Sequence, residues 1–165
     1  MQILGDFQPS VRRALEEIDP KYDELDALVI CGTHSPQDEE SLIAHIKHAR
    51  ETGRPYYGEC YGHQLAAIES ARNVLGIPDA TSEEFGQGTF VVKKRPAGLN
   101  VGLREGESYW NNYEVIIDWD KPKNFFTAQF HASYQSSIDK PHPLIKSFLT
   151  YAKRNKYNED DYANL

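Results

Sequence analysis

The chain has 165 residues, 39% hydrophobic and 26% charged, a size and balance that suit one soluble α/β-sized domain with its own core, without metal or disulfide staples. Its formal net charge of −7 argues against a broad nucleic-acid or anionic-membrane surface, and no run approaches the roughly 18 apolar residues of a spanning helix. The start, MQILGDF, lacks the basic and long apolar regions of a secretory signal. Cys31 and Cys60 are therefore expected to be reduced thiols in a cytoplasmic protein.

In chain order, residues 2–7 read as a first strand. Pro9 and Ser10 then introduce a helix with Val11, Ala14, Leu15 and Ile18 inward, ended by Pro20. Residues 25–31 contain Ala27, Leu28, Val29 and Ile30 in succession, the pattern of a strand covered on both faces, and Gly32-Thr33-His34-Ser35-Pro36 marks a loop at its end. Residues 38–51 carry Leu42, Ile43, Ile46 and Ala49 at helical spacing. A very short strand, residues 56–58, leads at once into a helical pattern with Leu65, Ile68, Ala71 and Leu75 on one stripe, ended by Gly76 and Pro78. This β-α-β-α-β-α order predicts a mainly parallel sheet with helices on its faces.

The middle, residues 81–108, is less regular. Phe90 to Val92 suggest a strand and residues 96–103 suggest turns. Residues 113–117 and 124–130 read as two further strands, with His131 directly beyond. Pro143 opens a last helix that buries Leu144, Phe148, Leu149 and Ala152. The reading divides the chain into one domain, 1–153, and a polar tail, 154–165, expected to pack weakly.

The chemistry concentrates in Gly58-Glu59-Cys60-Tyr61-Gly62-His63-Gln64. A side chain projected from a sharp strand-to-helix turn needs small residues on either side, here Gly58 and Gly62. The N–H groups that open the helix can lower a thiol pKa and stabilise an oxyanion. The plainer reading is a buried structural thiol with glycines that solve a packing problem.

Residues 55–85 resemble the class I glutamine amidotransferase family, in particular the glutaminase domain of CTP synthase and its free-standing relatives. The likeness includes the Gly-x-Cys-x-Gly-x-Gln core and the run Glu69-Ser70-Ala71-Arg72-Asn73-Val74-Leu75-Gly76. Gln129-Phe130-His131, His142-Pro143-Leu144 and residues 28–35 resemble later and earlier segments of the same family. The fold this implies is a three-layer α/β sandwich with flavodoxin-like strand order. No room remains between the first helix and residues 25–31 for the usual second strand, so one edge strand is expected to be missing.

The resemblance also implies roles. Cys60 would attack the carboxamide of glutamine to give a thioester, with His131 moving the protons. The N–H of Tyr61 and one near Gly32 or Thr33 would form the oxyanion hole. Gln64 and Glu84 would border the substrate, with Glu84 facing its α-ammonium group. Each has a plainer alternative: a packing histidine, a glutamine bonded to a loop, an acidic solvated surface beside Glu83.

Two departures from the family pattern matter. Its acid lies two residues after the histidine, where this chain has Ser133; Asp139 or Glu59 would then have to orient the imidazole. Its arginine ahead of Tyr-Glu-Val is replaced by Asn111-Asn112, with Arg104 a substitute from nearby and Tyr109-Trp110 alternative pocket walls. The 165 residues also contain no synthase segment and no Gly-rich Lys-Ser phosphate loop. The expected activity is thus a free-standing amidase or glutaminase-like hydrolase, weak or with another substrate, that needs no cofactor. Any ammonia acceptor would be a separate protein, and a homo-oligomer is a further expected partner state. The alternatives are an inactive binding or regulatory protein, and a metal site of His34, His63, His131 and Cys60, which lacks the close spacing of a structural zinc site.

Overall fold

A computed structural model describes residues 1–163, with side chains through residue 155. Its centre is a four-stranded, all-parallel sheet in the order β1 (Gln2–Leu4), β2 (Leu28–Ile30), β3 (Tyr56–Glu59), β9 (Phe125–Ala128). Among the described residues no strand lies outside β1, as the trimmed edge required. A single 3-10 turn at Tyr22–Glu24 occupies the connection from the first helix to β2.

The alternation of side chains along these strands divides the interior into two cores. Leu28, Ile30, Tyr56 and Phe125 face a core shared with α2 (Glu39–Thr52) and α3 (Tyr61–Asn73). Ala27, Val29, Cys31 and Tyr57 face the opposite core, shared with α1 (Gln8–Ile18) and α5 (Pro143–Ala163). β2 and β3 are buried at every position. That two-sided burial is why β2 reads as part of a continuous apolar run, whereas β3, which ends in Gly58 and Glu59, does not.

α3 differs from the expected one-sided stripe, because it is buried on almost all sides from Tyr61 to Ala71. Leu75 lies beyond its end and is 46% exposed. The helix stops at Asn73 because Gly76 turns with φ 75°, so that the Ile77 N–H reaches back to the Ala71 carbonyl at 2.9 Å. Within α3, Glu69 is fully buried and pairs with Arg50 of α2 at 2.9 Å, while Arg72 bonds Glu40 and the Ala80 carbonyl. Much of the Glu69–Gly76 run therefore joins helices and sheet and lies outside the reactive site.

The irregular middle makes two small sheets. β4 (Ala80–Ser82), β5 (Thr89–Lys94) and β8 (Tyr113–Val115) form one. β6 (Asn100–Arg104) and β7 (Glu107–Asn111) form an antiparallel hairpin. Part of that hairpin was expected to be turns. Gly98, Gly102 and Gly106, all at positive φ, and the exposure of β6 after Asn100 hide the strand from any alternating apolar pattern. The first strand is also shorter than expected, because Phe7 already precedes α1.

α4 (Ala132–Gln135) is a single turn after His131. In α5, Ile145 is buried beside Phe148, Leu149 and Ala152, and Leu144 is only partly covered. The helix runs on through the polar segment as far as Ala163; positions 164–165 of the expected tail lie outside the described residues.

Candidate active site

β3 ends at Glu59 and α3 begins at Tyr61, so Cys60 alone makes the turn, at φ 52° and ψ −97°. A side chain held at positive φ costs on the order of 1–3 kcal/mol, and such strain persists only when the surroundings enforce it. Here the enforcement is close packing. A Cβ on Gly62 would overlap the Ile30 carbonyl oxygen, and one on Gly58 would lie 2.8 Å from the Tyr56 hydroxyl and 2.9 Å from Gly62. Both glycines of the motif thus let α3 start directly against β2 and β3.

Cys60 lies at the floor of a narrow cleft of about 110 Å³, bordered by Thr33, His34, Tyr61, Gln64, Glu84 and Trp110 among others. The thiol is less open than the motif led us to expect: Cys60 is 8% exposed, against 0% for Cys31. Its pKa is also not lowered by the helix start. Burial and the adjacent Glu59 push it up to about 12, against a smaller opposing effect of the Tyr61 N–H and Gln129. A thiol so placed would need a base to take its proton before it could attack a carbonyl.

His131, the histidine expected as base, lies beside it and is 1% exposed. Its main-chain N–H donates to the Ser108 carbonyl at 2.7 Å, and its ring stacks on Tyr134 at 5.0 Å with Phe7 edge-on. Burial holds its pKa below the ordinary imidazole value, with the Trp110 carbonyl opposing. Both side chains reach that same carbonyl oxygen: His131 Nε2 at 3.4 Å and Cys60 Sγ at 3.6 Å.

The other expected residues divide. Gly32 packs against the imidazole so closely that a Cβ there would lie 2.8 Å from His131 Cε1. Thr33 borders the cleft and donates its hydroxyl to the Asp6 carboxylate. Gln64 also borders it, with its amide donating to the Tyr113 carbonyl at 3.0 Å and to Gln129 at 3.3 Å. Gln129 in turn donates to Cys60 Sγ at 3.5 Å. Glu84 stands exposed at the rim, its carboxyl raised by partial desolvation. The Tyr61 hydroxyl is buried without a hydrogen-bond partner.

Arg104 does not substitute for the absent arginine. It borders a separate cleft of about 540 Å³ with Arg95 and Glu114, and its guanidinium donates to Asn100. Asn111 is buried and donates to the Tyr113 carbonyl at 2.8 Å. His63 faces Thr127 and Trp119, apart from the His34 wall. Among the described residues no three His, Cys, Asp or Glu side chains converge to hold a metal ion. Asp139 is exposed, whereas Glu59 is fully buried with an oxygen 3.8 Å from His131 Nδ1.

Residues 7–119 match the family model "Glutamine amidotransferase class-I". The chain belongs to the class I glutamine amidotransferase family. It is similar to CTP synthase of Methanoculleus marisnigri, 30% identical over 188 aligned positions that cover 83% of this chain and 36% of the relative. A shorter likeness, to CTP synthase of Methanoregula boonei, is 45% identical over 94 positions and covers 57% of this chain and 18% of the relative. The chain therefore spans about a third or less of the length of these relatives. Its fold matches the glutaminase domain of Trypanosoma brucei CTPS, a structure with bound acivicin, at TM-score 0.70, 21% identity and coverage of 93% of this chain and 94% of that one.

Two features of this family member were not legible in sequence. The Trp110 carbonyl offers only a main-chain atom, which no side-chain pattern reports. Gln129 lies in a segment that resembles the family, yet only tertiary contact shows its amide on the thiol.

Proposed function

We propose that this amidotransferase domain is a cysteine-dependent carboxamide hydrolase whose preferred substrate carries an amine but no α-carboxylate. The observation that supports this reading most directly is the lining of the Cys60 cleft, which includes the Glu84 carboxylate and no Arg or Lys. A carboxylate buried without a cation or donor set is costly. An ammonium group has Glu84 at the rim. Phe7, His34 and Trp110 give the walls an aromatic character that suits an alkyl chain or cation.

In the reaction, Cys60 Sγ forms a bond to the carboxamide carbon as its proton passes to His131 Nε2. The Tyr61 N–H, with one from the 32–33 turn, supports the oxyanion. The imidazolium gives its proton to the nitrogen, the C–N bond breaks and ammonia leaves. Water then adds to the thioester with His131 as base, and the C–S bond breaks to return the thiol and release a carboxylic acid. Ammonia made here would be used by a group outside these 165 residues.

Ammonia release should be measured with glutamine and with an ω-amino carboxamide that lacks the α-carboxylate. The expected kcat/KM is at least about 10-fold higher for the second compound, and Cys60→Ala abolishes both activities. Glutamine turnover near roughly 10 s⁻¹, an ordinary enzyme rate, would overturn the substrate assignment. A second reading, a non-catalytic binding protein, draws on the Trp110 carbonyl that occupies both reactive groups. It predicts ligand binding with no ammonia from any carboxamide.

A further inference from the structure

The acid missing from the position after His131 has a counterpart elsewhere. The geometry points to Glu59 as the positioning residue of His131, and to Ser133 as the clamp that holds Glu59 in place. This inference rests on the reading of Cys60 as nucleophile and His131 as base.

Glu59 is the last residue of β3 and is fully buried. Three donors fix its carboxyl group. The Ser133 N–H and the Tyr57 hydroxyl reach Oε1 at 2.6 and 2.8 Å, and the Ser133 hydroxyl reaches Oε2 at 2.9 Å. The same Oε2 lies 3.8 Å from His131 Nδ1, within about 1 Å of an ordinary N–H···O distance. Nδ1 itself is buried and has no hydrogen-bond partner. The clamp is anchored from α1, where Arg13 donates to the Ser133 carbonyl at 2.8 Å.

The tautomer shows what this pairing does. A carbonyl oxygen only accepts, so contact with Trp110 requires the proton on Nε2. An imidazole in that form cannot take the Cys60 proton. To act as base it must carry its proton on Nδ1, and the acceptor beside Nδ1 is Glu59 Oε2. Ionised Glu59 selects the working tautomer; a neutral Glu59 can instead donate to Nδ1 and keep Nε2 protonated.

Other titratable groups that act on Glu59 or respond to it are Tyr57 and Cys60 on either side, Cys31 at the end of β2 and Tyr134 of α4. His142, ahead of α5, adds a favourable charge and is tied to Glu107 of β7 at 3.0 Å. Burial outweighs these donors and holds the Glu59 carboxyl above the ordinary carboxylate range.

The test is the pH dependence of Cys60 alkylation by iodoacetamide, read by intact mass, beside kcat and KM for ammonia release. Wild type is expected to show a rising limb above the ordinary carboxylate range that belongs to Glu59, beside the limb from deprotonation of His131. Glu59→Gln should lose the Glu59 limb, keep that of His131 and slow alkylation by on the order of 10²-fold. It should lower kcat with KM unchanged, and Glu59→Asp should recover part of the loss. Ser133→Ala tests the same point if Glu59→Gln does not fold. It removes one bond to the anion, so the Glu59 limb should move to higher pH.

A wild-type profile without the Glu59 limb, or a folded Glu59→Gln or Ser133→Ala protein with the wild-type profile, overturns the inference. If no carboxamide is hydrolysed but the limb appears and depends on Glu59, the functional reading falls and the inference stands. Robust hydrolysis with an indifferent Glu59→Gln protein does the opposite: hydrolysis by this domain stands and the role of Glu59 falls.

Discussion

Glu59 and Cys60 leave β3 with 0% and 8% of their surface exposed, whereas Val101, Leu103 and Trp110 on the β6–β7 hairpin are 50%, 64% and 47% exposed. Both regions meet at the same cleft, since the Trp110 carbonyl touches Cys60 and His131. The floor is specified by close backbone packing: Gly58 and Gly62 have no room for a side chain, and Glu59 is gripped from 74 residues away by Ser133. The lip is a twisted ribbon whose apolar side chains mostly face outward. A region held by sterics has few allowed sequences, and one held by its own ladder has many. It is in the lip that the expected arginine gives way to Asn111 and Asn112, so substrate choice can change there while the elbow stays intact.

If the floor is as constrained as this, a second acid there should be the most damaging change. Ser133→Glu places a carboxylate against Glu59 in a fully buried position, and we expect a loss of about 4 kcal/mol in unfolding free energy and no gain in activity. Urea titration checks the first part and ammonia release the second. A stable, more active Ser133→Glu protein would break the comparison.

Gly62→Ala comes next, at about 3 kcal/mol, because the new methyl meets main chain that cannot rotate away. Its melting midpoint should fall well below that of Gly98→Ala. Gly98 has open space around it and loses only through its φ of 77°.

A third expectation concerns pH. Burial, aided by Lys121, depresses His63 to about 3. The unfolded chain therefore binds the extra proton first. The stabilising effect is complete above the ordinary imidazole pKa and is lost as pH falls towards about 3. The slope is at most about 1.4 kcal/mol per pH unit from this group. Glu59, raised by burial, acts in the opposite sense and lowers stability as pH rises above the ordinary carboxylate pKa. His63→Gln should reduce the acid-side slope in denaturation measured across this range, with His131 and the paired carboxylates keeping the remainder, and an unchanged slope would refute the assignment.

The smallest stability effect belongs to the lip. Trp110→Ala should change unfolding free energy by no more than about 0.5 kcal/mol, yet raise KM, because the indole packs on His34 in the cleft wall at 5.2 Å. A large stability loss with unchanged KM would reverse the division between floor and lip.

The same division governs what the sequence revealed. Residues 25–31 were readable as a covered strand because burial on both faces leaves an unbroken apolar run, whereas residues 56–58 were readable only as a very short strand ahead of a helix. The elbow was readable because its glycines are sterically required. Glu59 was only one candidate acid among others, since a carboxylate beside a cysteine looks alike whether solvated or buried. Its setting depends on Ser133 and Tyr57 together, a long-range fact. The hairpin was missed over residues 96–103 for the converse reason: it buries too little for burial to pattern its sequence.

The absence, among the described residues, of a strand beyond β1 has a consequence for association between molecules. An open sheet edge offers unpaired N–H and C=O groups to any extended chain, a common route to aggregation. β1 is only three residues long, so its edge spans about 10 Å and offers a visiting strand very few hydrogen bonds. Arg54 donates to the Gln2 side chain and pairs with Asp26 at 2.8 Å, which sets an ion pair near that edge. A trimmed sheet thus keeps its open side short and charged, a poor template for strand addition.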